Sequence, residues 1–186
     1  MKRAVRLGIW GLLCVAPAVW AQDESAESVM RNVAQKAWEY GQAVSCMDME
    51  GSEQISPDLI AALRPYRGAD DYDDAEYLAF WAGDVGCAGG SGTTGYNAAY
   101  VIRGPRGQYY VDPSRSSPLA SFEFNTRFLE RIVSATHDTL VVEYLDFDED
   151  DSNCCPSLQY RATLKRDKQG DWVHTKRQAL GKLSTD

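Results

Sequence analysis

Residues 140–164 decide the fold. The first limb is Leu140-Val141-Val142-Glu143-Tyr144-Leu145-Asp146-Phe147, and a loop follows, Asp148-Glu149-Asp150-Asp151-Ser152-Asn153-Cys154-Cys155-Pro156-Ser157. The return limb alternates, with Leu158, Tyr160, Ala162 and Leu164 on one face and Gln159, Arg161, Thr163 and Lys165 on the other. A period of two is what a half-buried strand requires. The stretch therefore reads as a β-hairpin with an acidic tip that carries two adjacent cysteines.

More strands lie on both sides. Asp167-Lys168-Gln169-Gly170 is a turn, and Trp172-Val173-His174-Thr175 closes the sheet. Upstream, residues 128–135 form a strand joined to the hairpin through Thr136-His137-Asp138-Thr139. Residues 96–103 and 108–112 pair across Gly104-Pro105-Arg106-Gly107, with proline where a type I or II turn takes it. Residues 113–118 are a Ser/Pro loop. Before these strands lies a glycine-rich loop over 86–95.

The N-terminal half reads as helical. Val29, Val33, Ala37, Tyr40 and Val44 recur at helical spacing, widened by Met30 and Trp38, which predicts an amphipathic helix over 26–45. Ser56-Pro57 is a helix start, with Leu59, Ile60 and Leu63 on its buried face and Arg64-Pro65 as its end. Asp73 and Glu76 suit the start of a third helix running to Gly83. The alternative for that segment is a strand of alternating large and small residues; the caps favour the helix.

Three helices followed by about six antiparallel strands mean an α+β fold, N-terminal helices packed on a curved antiparallel β-sheet. The order of a first helix, a Ser-Pro-Asp-Leu helix, an Asp-Ala-Glu-Tyr-Leu helix and strands ending in Lys-Arg-Asp-Lys-Gln-Gly-Asp-Trp-Val resembles the nuclear-transport-factor-2-like or cystatin-like cone. Asn153-Cys154-Cys155-Pro156-Ser157 resembles small exported bacterial proteins of unknown function, which implies no particular activity. A fold of this kind hosts enzymes and binders alike.

Lys2, Arg3 and Arg6 precede an apolar run over 7–19, and Val19-Trp20-Ala21 suits cleavage after Ala21. The run is shorter than the ~18 residues of a spanning helix, so residues 1–21 read as a secretory signal peptide and 22–186 as a single α+β domain. Cleavage would leave 165 of the 186 residues. It would remove three of the 19 basic residues and none of the 27 acidic ones, leaving 16 against 27, a net charge of −11. Such a surface argues against nucleic acid and anionic membrane and suits a basic protein partner.

Four cysteines remain: Cys46, Cys87, Cys154 and Cys155. An even count in an exported chain predicts two disulfides. A Cys154–Cys155 bond closes a strained ring through one peptide bond, so the expectation is that Cys46 and Cys87 each take one member of the adjacent pair. No zinc-ligand spacing is present. Cys87 with His137 or His174 would be a thiol–imidazole pair, which an oxidising compartment disfavours. The glycine loop lacks the Gly-Lys-Ser/Thr ending of a phosphate loop.

Asp146, Asp148 and Asp150 begin like a calcium loop, but Asp151 and Ser157 occupy the positions of its glycine and its bidentate glutamate. Weak calcium binding by clustered carboxylates stays open. No cofactor or resident metal is expected. Like charges at 146–151 should resist ordering. Tyr40, Tyr77, Trp81, Tyr96 and Tyr100 are core residues or the lining of a helix–sheet pocket. The function expected is that of an exported cell-envelope binding protein without catalytic activity, an inhibitor or toxin-immunity protein. Its candidate contacts are Asp146, Asp148, Asp150, Asp151, Gly89, Gly90 and Ser91. The alternative is a small-ligand carrier or pocket enzyme.

Overall fold

Ser25 accepts a hydrogen bond from the Ser28 N–H and caps helix α1, Ala26–Val44, which buries Val29, Val33, Ala37 and Gly41. The computed structural model describes residues 23–47, 55–68, 70, 74–89 and 93–183. The signal peptide read at 1–21, the Asp73 cap, Gly90 and Ser91 lie outside them.

Among the described residues nine strands follow the helix: β1 Ser45–Met47, β2 Ile60–Arg64, β3 Ala75–Val85, β4 Gly95–Arg103, β5 Tyr109–Val111, β6 Leu129–Ala135, β7 Thr139–Asp146, β8 Leu158–Arg166 and β9 Trp172–Lys182. They build two antiparallel sheets. The front sheet runs β1-β3-β4-β5, with β2 also paired to β3; the back sheet runs β6-β7-β8-β9.

Among the described residues one α-helix, not three, packs on this framework. The Ser56 cap is real, accepting from the Asp58 N–H at 3.3 Å, but the turn it starts ends at Leu59. Pro65 leaves too few residues to repay helix nucleation, and Ile60 and Ala61 pair instead with Ala79 and Leu78 of β3. The expected third helix is β3 itself. Ala75, Tyr77, Ala79 and Trp81 face α1, while Leu78 and Phe80 face the back sheet. A strand dry on both faces shows no polar alternation, which is why its caps misled. The aromatic run at its centre is strand-favouring.

The layers are therefore helix, front sheet, back sheet, with two cores. Val29, Val33 and Ala37 meet Tyr77, Trp81, Ala99 and Val101 in one. Leu78, Phe80, Ala98 and Tyr100 meet Leu140, Val142, Leu164 and Trp172 in the other. The five aromatic candidates divide between the cores. Tyr40 packs edge-on against Trp81 at 5.7 Å on the helix side, whereas Tyr96 and Tyr100 belong to the inter-sheet core. The back sheet follows the sequence reading closely: β7 and β8 pair in register from Thr139↔Lys165 to Asp146↔Leu158.

Candidate functional site

The front-sheet ladder determines the first disulfide. It sets Cys46 of β1 opposite Asp84 of β3. The chain then turns, the Cys87 N–H donating to the Asp84 carbonyl at 3.1 Å. That turn brings Cys87 back to Cys46, and the two are bonded with Cα atoms 5.1 Å apart. The expected links from Cys46 and Cys87 to the adjacent pair are thus corrected: Cys154 is bonded to Cys155. Reading β3 as a helix had hidden the ladder that decides the pairing.

Asp84, 7% exposed, organises the start of the glycine loop. Its carboxylate accepts from the Gly89 N–H at 2.8 Å. That bond outweighs burial and holds the carboxyl below its ordinary range, with Thr93 and Ala88 assisting. Asn97 Nδ2 donates to the carbonyls of Gly83 and Gly95 and closes the base of the loop.

The acidic tip is braced from within. Asp151 accepts from the backbone N–H groups of Asp148 and Ser157, each at 2.7 Å, and from the Ser157 hydroxyl. The Asp148 N–H is the largest influence on Asp151, and these bonds together hold its carboxyl low. Lys182 binds Asp148 at 2.7 Å and is the main reason that this carboxyl also lies low. Asp146 pairs with Arg177 at 2.6 Å, and Arg177 stacks on Tyr160. The expectation that like charge keeps this loop from ordering gives way to these partners. Glu149 and Asp150 are left exposed, and their carboxylates make no hydrogen bond among the described residues.

The base of the acidic hairpin and the end of the glycine loop rest on one segment. Asn125 Nδ2 donates to the Leu145 carbonyl and to Asp146, and Phe128 packs edge-on against Phe147. On the other side, Thr126 and Arg127 lie against Gly95. A polar groove of about 390 Å³ lies here, lined in part by Gly83, Thr93, Asn97, Asn125 and Arg127. Of the candidate contacts, Asp146, Asp148, Asp150, Asp151 and Gly89 belong to these two loops at one end of the sandwich. Asn125 and Arg127 were missed, because nothing in sequence marks residues 124–128 as the bridge.

The opposite end, about 26 Å away along eight residues of β3, holds a second polar cluster. The Tyr100 hydroxyl donates to Glu76 at 2.5 Å and also meets Arg115. Burial, reinforced by Glu76, pushes the Tyr100 phenol up to about 12. His137 Nε2 lies 3.4 Å from Glu76, and its Nδ1 lies 2.7 Å from Asp138. The Arg166 guanidinium lies over Tyr100 at 5.1 Å, and its buried Nε has no hydrogen-bond partner among the described residues. The sequence reading picked His137 as a candidate base, Tyr100 as a core or pocket-lining residue and Glu76 only as a helix start, and it passed over Arg115 and Arg166. Glu76 of β3 meets His137 of the β6–β7 turn, so the cluster ties the two sheets together.

Among the described residues no helix is long and apolar enough to cross a membrane, and no group of three or more His, Cys, Asp or Glu side chains is placed to hold a metal ion. No protein-family model, curated protein or solved structure matches the chain.

Proposed function

We propose that this chain is an exported cell-envelope protein that acts by binding a basic protein partner rather than by catalysis, as an inhibitor or immunity protein does. One observation carries the reading: the base of the acidic hairpin, through Leu145, Asp146 and Phe147, and the end of the glycine loop at Gly95 both rest on residues 124–128, and internal bracing leaves Glu149 and Asp150 facing outward. A braced surface loses little conformational entropy on association. Charge on such a rim speeds encounter and selects partners of opposite sign. The test is capture from an envelope extract at low and high salt, with wild type beside a Glu149→Lys/Asp150→Lys variant. A basic protein held at low salt, released by salt and lost with the variant is the expected result. Capture that ignores both salt and the two charges overturns the reading.

A small-ligand carrier is the second reading. What supports it is a groove of about 440 Å³ beside α1, lined by Met30, Ala34, Trp38, Ile55, Pro57 and Ile60. That size and apolar character suit a small hydrophobic ligand. A carrier of this kind would hold its ligand between the helix and the front sheet. An apolar fluorescent probe that binds wild type but not Ala34→Trp would favour the carrier. Equal binding to both proteins excludes this groove.

A further inference from the structure

Both disulfides are solvent-exposed, yet they constrain the chain very differently. Cys46 and Cys87 are 41 residues apart in sequence; Cys154 and Cys155 are neighbours. The stabilisation a crosslink gives through the unfolded chain grows with the logarithm of the loop it closes. A link between neighbours closes no loop of chain and restrains the unfolded state hardly at all. Fold stability therefore does not explain this bond.

Its surroundings are those of an exchange site. One trans peptide fixes the Cα atoms of Cys154 and Cys155 at 3.8 Å, short of the ~4.4–6.8 Å that bridges ordinarily span, and bridges outside that span are the more easily reduced. The Ser152 hydroxyl is 3.1 Å from Cys154 Sγ, placed to donate to a thiolate formed there. Asp151 grips Ser157 beyond the pair and Asp148 before it, so the loop is held at both ends without the sulfur bond.

We propose that Cys154–Cys155 is an exchangeable two-electron redox pair, reduced by a dithiol and reoxidised without unfolding of the protein. A thiolate of the dithiol attacks Cys155 Sγ. The Cys154–Cys155 bond breaks, and the electron pair leaves on Cys154 Sγ, beside the Ser152 hydroxyl. The second thiolate of the dithiol then attacks its own sulfur in the mixed disulfide and releases Cys155. The dithiol becomes a disulfide, and its two protons end on Cys154 and Cys155. Cys46–Cys87 is the structural bond and stays closed through the cycle. Nothing in this depends on which partner the acidic tip binds.

The oxidised full chain is equilibrated with graded ratios of reduced to oxidised dithiothreitol, alkylated, and mapped by peptide mass. Cys154 and Cys155 should label together at a ratio at least tenfold lower than Cys46 and Cys87 require, with the melting temperature almost unchanged after that first step. Ser152→Ala should slow the first step several-fold at the same melting temperature. A Cys154→Ser/Cys155→Ser variant should melt where wild type does. Three results overturn the proposal: the two bridges opening together, reactive thiols at Cys154 and Cys155 in unfolded but unreduced protein, or a double-serine variant that melts as low as one lacking Cys46–Cys87.

Discussion

Glu143 shows how one residue can set acid stability. It is 3% exposed on the outer face of the back sheet, between Arg131 at 2.7 Å and Arg161 at 2.5 Å. Burial pushes its carboxyl up, but Arg161 and Arg131 outweigh burial, and the net position is below the ordinary 4.5. A carboxyl depressed by folding stabilises fully above its ordinary value and stops doing so as pH falls through its folded value. The affected window opens near pH 4.5 and extends downward. Asp84, Asp148 and Asp151 are also depressed and act in the same direction. Glu143→Gln keeps the shape and removes the charge. It should cost about 1–3 kcal/mol at neutral pH, the range for a hydrogen bond to a charged group with solvent-exposed partners. It should also flatten the fall in stability below pH 4.5. Urea unfolding at pH 7 and pH 3 checks both; a variant whose acid limb parallels that of wild type removes Glu143 from the account.

At the scale of elements, the Cys46–Cys87 bond ties the end of α1, through β1, to the far end of β3. For the 41-residue separation the chain-entropy model gives about 4 kcal/mol, less any native strain. Cys46→Ser/Cys87→Ser should lower the melting temperature by roughly 5–15 °C in a domain of this size. A calorimetric scan showing no shift would mean that the β1–β3 ladder holds unaided. That ladder also marks what could be read in the sequence. The back sheet was legible because β8 alternates between a core face and a wet one, and α1 because its apolar stripe recurs at every turn. β3 was not legible, because Tyr77 and Trp81 on one face and Leu78 and Phe80 on the other all enter cores. The C-terminal part of β9 was missed for the opposite reason: Thr175, Lys176, Arg177 and Gln178 are exposed and give no apolar period. In the candidate site the carboxylates were visible as a cluster. The Asp151–Ser157 brace and the Asn125 bridge were not, since each depends on how the loop folds back.

For the whole molecule, the central fact is that both cores are built on the two faces of β3 and β4. Val33 is fully buried under α1 and Leu140 is fully buried between the sheets, in clusters that share no buried residue. Two cores could mean two independent folding units, but the shared strands argue otherwise. Loss of the helix layer would expose Tyr77, Trp81 and Val101. Loss of the back sheet would expose Phe80 and Tyr100 on the same strands. At about 25 cal/mol per Å² of apolar surface, uncovering two or three such side chains costs several kcal/mol, comparable with the whole stability of a domain. Neither half is then expected to persist alone. Leu140→Ala should cost about 2–5 kcal/mol and Val33→Ala somewhat less. Each should shift one transition seen identically by far-ultraviolet circular dichroism, which follows the backbone, and by fluorescence of Trp81 and Trp172, which sit in different cores. Separate midpoints in either variant, with helix signal lost before the Trp172 environment changes, would show that α1 and the front sheet can part from a back sheet that stands without them.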